Sequence, residues 1–199
     1  MQNYQPILKA LEAGNAAHAL KLTQQQQQVT PNLLLLRAVA LSRTGKREES
    51  LAVAEPLLKE CTKFALADVE RLQTVFASAQ RFDLAARLMH TAYQGQPGSE
   101  QFAQQTFFAL VRARDYEGQE KHSLDMFKRF KQNATYLIWH VISMLLNMRH
   151  TGLPPVDDKT RAIKLMIAER YLESAMKDKV VEWESILNKK SEHSFAECK

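Results

Sequence analysis

An all-α fold, a right-handed superhelix of antiparallel helical hairpins, is what this sequence predicts. Three observations carry the prediction. Leu, Ala, Gln, Lys and Glu dominate the 199 residues, β-branched residues are sparse, and only six glycines and six prolines occur, a composition that favours helix. The stretch 37–54, "RAVALSRTGKREESLAVA", is apolar, then polar for seven residues, then apolar again, as two helices around a tight turn require. Such turns return at a near-constant interval: the anchors Gly14, Gly45, Gln80 and Arg114 lie 31, 35 and 34 residues apart.

The register around the anchors defines each element. Five residues after them stand Ala19, Ser50, Ala85 and Gln119, mostly small residues that let a second helix approach the first. Four before the last three stand Leu41, Phe76 and Leu110, positions for core side chains. Two after the last two stand Phe82 and Tyr116, expected to pack between helices. Pro31 and Pro97, each seventeen residues past an anchor, are expected to end the second helix. This is the tetratricopeptide pattern in degenerate form: the helix-A tryptophan is absent and two of four turns keep glycine.

The expected helices are 4–13 and 16–28, 32–43 and 47–60, 66–79 and 83–94, 99–113 and 117–131, then 133–149 and 158–178. The last pair is joined by "RHTGLPPVDD", where Pro154 and Pro155 break the helix and Asp157 or Asp158 caps the next. Residues 1–179 thus form about five hairpins, and 180–199 a polar, poorly ordered tail. The longest apolar run, 136–148, is 13 residues with His140 inside; a membrane span needs ~20, so this segment reads as a buried helix.

Composition sets bounds on function. Hydrophobic residues are 45%, charged residues 25%, and the net charge of +5 is a mild bias toward acidic partners. Cys61 and Cys198 form no CxxC pair or disulfide framework, which fits a reducing compartment. The N-terminal "MQNYQPILKALEAGN" lacks a basic segment followed by an apolar core, so no secretory signal is expected, and one lysine without arginine does not make a mitochondrial presequence. The expected location is cytoplasmic.

No catalytic constellation is expected. Gly45-Lys46 is not a phosphate loop: Arg47 follows where Ser or Thr is needed, Ala40 replaces the first glycine, and a helix rather than a strand precedes. His122 and Asp125 share one helix face without a third ligand, and are expected to be solvated. His193, Glu197 and Cys198 sit in the polar tail, and His140 reads as a hydrogen-bonded core histidine. Gln24–Gln28 marks a solvated helix end, and Met144 and Met148 are core or interface packing. No metal or cofactor is expected.

What remains is binding. The first helix of each pair lines the groove of such an array. The register places Asn32, Leu35, Val39 and Arg43 there from the second repeat, and Gln101, Gln104, Phe108 and Arg112 from the fourth. Carboxylate-clamping versions need Lys and Asn where Leu35 and Val39 stand, so this groove suits a folded protein or a helix instead. Arg112, Arg114, Lys128, Arg129 and Lys131 collect at two helix C-termini, where the helix dipole favours cations and where a phosphate-facing patch is also accommodated.

Particular runs then point to a family. "ALEAGNAAHALKL", "LLLRAVALSRTGKREESLAVA", "GSEQFAQQTFFALVRARDYEGQEKHSLDMFK", "YLIWHVISMLLNM" and "IAERYLESAMKDK" resemble, in order and spacing over roughly residues 4–179, the N-terminal part of the auxiliary subunits of the N-terminal acetyltransferase B (NatB) complex. The "RTGK" turn and the "YLIW" helix start are the most specific pieces. The resemblance implies a non-catalytic superhelical scaffold that wraps a GNAT-fold catalytic subunit and helps dock it at the ribosome, with nascent chains beginning Met-Asp, Met-Glu, Met-Asn or Met-Gln as substrates. It implies that acetyl-CoA sits on the catalytic partner. The residues agree: of all six glycines, Arg149 to Gly152 comes nearest to the [RQ]xxGx[GA] pyrophosphate loop, and Pro154 occupies its final position. Family members are several times longer, and the text after Lys179 no longer resembles them. A truncated form or incomplete gene model with an adhesive last hairpin face is the expectation. The rival readings are a generic tetratricopeptide adaptor in another complex, an RNA-binding repeat of the pentatricopeptide kind, which the variable repeat positions disfavour, and an enzyme, which no constellation supports. No sequence-specific nucleic acid and no membrane are expected as partners.

Overall fold

The computed structural model describes residues 4–131, 133–150 and 157–174, and every regular element among them is helical. They belong to two compact units, Met1–Arg114 and Asp115–Lys199.

The first unit holds α1 (Gln5–Glu12), α2 (Ala16–Gln25), α3 (Pro31–Arg43), α4 (Arg47–Ala54), α5 (Leu66–Ser78), α6 (Phe82–Gly95) and α7 (Glu100–Ala113). Helices α1 and α2, α3 and α4, and α5 and α6 pack as pairs, with α3 also against α2 and α5, and α7 against α6. The pairing is decided at the turns. Gly14, Gly45, Gln80 and Arg114 are the residues with positive φ among the described ones, at +75°, +82°, +58° and +55°. They are the four anchors of the sequence repeat. After α1, α3 and α5 the same hydrogen bonds close the helix: Asn15 N–H donates to the Ala10 carbonyl, Lys46 to Leu41 and Arg81 to Phe76, at 2.8–3.0 Å. These 6→1 bonds satisfy carbonyls that a helix end leaves open, and they require a left-handed residue just before the donor.

Core positions follow from that register. Ala19, Ser50 and Ala85 are buried, as are Leu41, Phe76 and Leu110. Ser50 Oγ donates to the Ala38 carbonyl at 2.8 Å, tying α4 to α3. Thr106 Oγ1 reaches the Met89 carbonyl at 3.1 Å, tying α7 to α6. Caps fix the starts: Asn15 accepts from the His18 amide, Thr30 from Leu33 and Ser99 from Phe102.

Two expectations need correction. The helix expected over 47–60 stops at Ala54, and Glu55–Lys59 and Cys61–Lys63 are 3-10 turns, because Pro56 has no N–H to give the Ala52 carbonyl. Pro31 does not end α2, which stops at Gln25; it opens α3 as its first residue, where no N–H is needed. The expected packing of Tyr116 between helices is seen: half-buried like Phe82, its ring stacks on that of His150 with centroids 4.6 Å apart.

The second unit holds α8 (Tyr116–Arg129), α9 (Thr135–His150) and a helix over residues 158–174, α10. Helix α8 packs along α9, and Gln119, the fourth residue five past an anchor, is buried. Helix α10 joins through Val141, Met144 and Ala168, with Ile167 and Tyr171 against them. Asp157 caps it: its carboxylate accepts from the Thr160 amide at 2.9 Å and hydroxyl at 2.6 Å, and these bonds lower its pKa. The link residues 151–156 and the expected tail 180–199 lie outside the described residues.

Candidate partner-binding face

Each unit has a surface of interest of its own: the exposed side of the first helices α1, α3, α5 and α7 in the first, and that of α9 in the second. In the first unit two adjoining small clefts mark it. One is lined by Leu8, Leu11, Glu12, Val39, Arg43 and Arg71, the other by Val39, Ser42, Arg43, Arg71, Thr74 and Val75. The helices are locked side by side here. Arg43 Nη1 donates to the Leu11 carbonyl at 2.6 Å, a second bond beside the one that carbonyl accepts from the Gly14 amide at the end of α1. Arg71 pairs with Asp68 one turn earlier at 2.6 Å, and the Ser42 and Ser78 hydroxyls meet at 2.7 Å.

The groove residues expected from sequence divide. Asn32 and Arg43 are exposed; Asn32 lines a larger cavity with Tyr4, Gln28, Thr30, Glu60, Lys63 and Phe64. Val39 is 6% exposed and floors both clefts. Leu35 is not a groove residue: at 1% exposure it belongs to the core, because the apolar run 33–36 buries three of its four leucines. On α7, Gln101, Phe108 and Arg112 are exposed and Gln104 is half-buried. The Phe108 ring meets Phe107 edge-on at 5.9 Å and is still 47% exposed.

The five basic residues at helix ends are all exposed. Arg112 and Arg114 close the first unit, Arg114 in the left-handed conformation. Lys128, Arg129 and Lys131 lie in the second unit, where Arg129 is engaged with Asp125 at 2.8 Å.

Inside the second unit a polar cluster links three helices that sequence reasoning did not join. Glu120 of α8 accepts from Lys164 of α10 at 2.8 and 2.9 Å and from Asn147 of α9 at 2.6 Å. His140 is buried beside Ser123 Oγ, 3.4 Å from its Nδ1, and burial holds its pKa below the ordinary value. His140 is therefore the hydrogen-bonded core histidine expected. His122 is the opposite case: expected on a solvated face, it is buried with Gln119, Ser123 and Met126 on one side of α8. Residues 27 and 44 apart in sequence carry no local signal of such a cluster. Burial also raises the Cys61 thiol pKa, the reverse of what a reactive thiol needs. Among the described residues no group of three or more metal-ligating side chains forms, and no helix is long and apolar enough to cross a membrane.

Left-handed turns every 31–35 residues, a small buried residue five past each of the first three, and the first helices α1, α3 and α5 sharing one cleft-bearing face define the class: a tetratricopeptide-like helical-repeat protein. The chain belongs to the family described as "Psidin, N-terminal TPR repeats region", whose model matches residues 2–188. It is 28% identical over 185 residues to phagocyte signaling-impaired protein of Drosophila pseudoobscura pseudoobscura, covering 90% of this chain and 19% of that protein. It is 25% identical over 187 residues to human N-alpha-acetyltransferase 25, NatB auxiliary subunit, covering 90% of this chain and 18% of that one. The chain thus spans about a fifth of the length of these relatives. In fold it is similar to a chain of the structure titled "Structure of Naa15/Naa10 bound to HypK-THB", with TM-score 0.61, 20% identity, and coverage of 88% of this chain and 24% of that one. The chain is a homologue of a NatB auxiliary, non-catalytic subunit over that subunit family's N-terminal repeat region.

Proposed function

We propose that this chain is a non-catalytic scaffold of a NatB-type N-terminal acetyltransferase. It holds a GNAT-fold catalytic subunit, which carries the acetyl-CoA, and helps place it at the ribosome in the cytoplasm for co-translational acetylation of nascent N-termini. The observation that carries this reading is the 25% identity over 187 residues with the human auxiliary subunit. The architecture supports it. Buried Ser50 and Thr106 and half-buried Glu120 tie helix to helix, and the exposed face of the first helices offers a surface for another folded protein. Asn32, Val39, Arg43, Gln101, Gln104, Phe108 and Arg112 are its contact residues in this reading, and Arg112, Arg114, Lys128, Arg129 and Lys131 face ribosomal phosphate.

The test is a pull-down of the tagged 199-residue chain from cytosol of its own source, with mass spectrometry of what accompanies it. Recovery of a GNAT-fold acetyltransferase is the expected result. Recovery of an unrelated assembly instead replaces this reading with that of a generic tetratricopeptide adaptor.

A further inference from the structure

Two positions of the repeat, six and three residues before the anchor, behave unlike the rest. In the first three repeats they are Leu8 and Leu11, Val39 and Ser42, and Thr74 and Ala77. Five of these six line the two adjoining clefts or floor them, so the positions belong to the exposed face of the first helices. Of the large apolar side chains at these positions in α1 and α3, Leu11 and Val39 are buried and Leu8 is half-buried, and in α5 the pair is small or polar. On α7 the pair becomes Phe108 and Val111, 47% and 43% exposed. Thirty-four residues further on, at one full repeat, α9 carries Ile142 and Leu145, 49% and 37% exposed. Single exposed apolar residues are ordinary; a pair that recurs at the same repeat position on two first helices is not.

Along its own helix, the charge near each pair is basic. Helix α7 has Glu100 at its first residue as its one acid, and α9 has none. Arg112 follows Val111 directly, and Arg149 stands one turn beyond Leu145. We propose that Phe108 with Val111, and independently Ile142 with Leu145, are landing positions for an amphipathic partner helix. Its apolar stripe fills against each pair, and acidic residues beside the stripe meet Arg112 or Arg149. This rests on the scaffold reading above and specifies the chemistry of what is scaffolded. Two apolar residues three apart match side chains one turn apart on an opposing helix, and an arginine within a turn of each pair selects against a basic one.

The test uses the full chain and the variant F108S/V111S/I142S/L145S, checked for unchanged helicity by circular dichroism. The first probe is a labelled helical peptide with Leu at i, i+3 and i+7 flanked by Glu, compared with the same peptide carrying Lys for Glu, by fluorescence anisotropy. Binding of the Glu peptide to the parent, weakened at least about tenfold in the variant and in the Lys peptide, is expected. No binding by the parent, or equal binding in either comparison, overturns the inference. The second probe is co-purification of the GNAT-fold subunit, with E48R as a control at an exposed position of α4, away from this face. Loss in the quadruple variant and retention in E48R is expected. Retention in both overturns the inference and leaves the scaffold reading intact. A parent that binds the Glu peptide as expected without recovering the subunit does the reverse.

Discussion

Exchanging residues between the glycine and non-glycine turns tests the idea that one backbone geometry builds every hairpin. An L-residue in the left-handed conformation costs about 1–2 kcal/mol relative to glycine there. Glycine in turn gives the unfolded chain more freedom, worth about 0.4–1 kcal/mol. The difference leaves a net of about 0.5–1 kcal/mol in favour of glycine at each anchor. Sterics do not add to it: a Cβ built on Gly14 or Gly45 meets nothing within 4 Å. Gln80 and Arg114 are exposed, so glycine there removes no core packing. Gly45→Ala should therefore destabilise by about 0.5–1 kcal/mol, and Gln80→Gly and Arg114→Gly should each stabilise by a similar amount. For a chain of this size each is a shift of about 2–4 °C in Tm per kcal/mol. Urea titration followed at 222 nm, with a thermal melt beside it, reads both. Gln80→Asn should fall between, since Asn tolerates this conformation. A Gln80→Gly variant less stable than the parent, or a neutral Gly45→Ala, would refute the shared-turn reasoning.

Three further outcomes are expected. Glu120→Ala strips two α10–α8 and α9–α8 ties at once and leaves the half-buried Lys164 ammonium without its carboxylate; a loss of about 2 kcal/mol in urea unfolding is expected, and a neutral result would show that the cluster is incidental. His140 is neutral in both folded and unfolded chains above pH about 6.5. Below that value the unfolded chain takes a proton that burial denies the folded one, so stability should fall as pH drops from there toward the lowered folded pKa. The groups facing it are Glu120, Lys164 and Lys128, and His140→Gln should flatten this part of the pH profile without that slope moving elsewhere. Charge reversal of Arg112, Arg114, Lys128 and Lys131 together should reduce ribosome co-sedimentation without unfolding; unchanged sedimentation at low salt refutes their role.

Much of the fold was legible because the turn chemistry is local. A left-handed residue, a core side chain four before it and a small one five after it are all set within one hairpin, so the 31–35-residue interval shows even where Gln80 and Arg114 replace glycine. Pro56 was legible in principle; the apolar continuity of 51–58 hid a break that the missing N–H enforces. Burial across helices was not legible. Leu35 and Phe108 occupy neighbouring positions of the same expected groove, yet one is enclosed and the other half open. His122 is enclosed on a helix whose low hydrophobicity reads as solvated. Each outcome depends on the size of residues dozens of positions away, which no local period encodes.

The two kinds of repeat position explain how such a chain acquires a specific partner without disturbing its fold. Where the turn and the hairpin seam dictate the residue, variation is narrow: Leu41, Phe76 and Leu110 are all large and buried, and Ala19, Ser50 and Ala85 all small and buried. Six and three before the anchor, burial varies from Leu11 and Val39, which are buried, to Phe108 and Val111, which are exposed, and the hairpin closes in each case. Leu and Leu, Val and Ser, Thr and Ala, Phe and Val, Ile and Leu occupy these places in turn. A substitution such as Phe108→Ser removes about half of a ring's buried area from folding while removing the exposed half from any contact. Its effect should be larger on association than on stability. Positions tolerant in the fold and unequal in chemistry are where a scaffold writes its specificity, and the change from the Arg43 and Arg71 clefts to the open apolar pair on α7 is such a change within one unit.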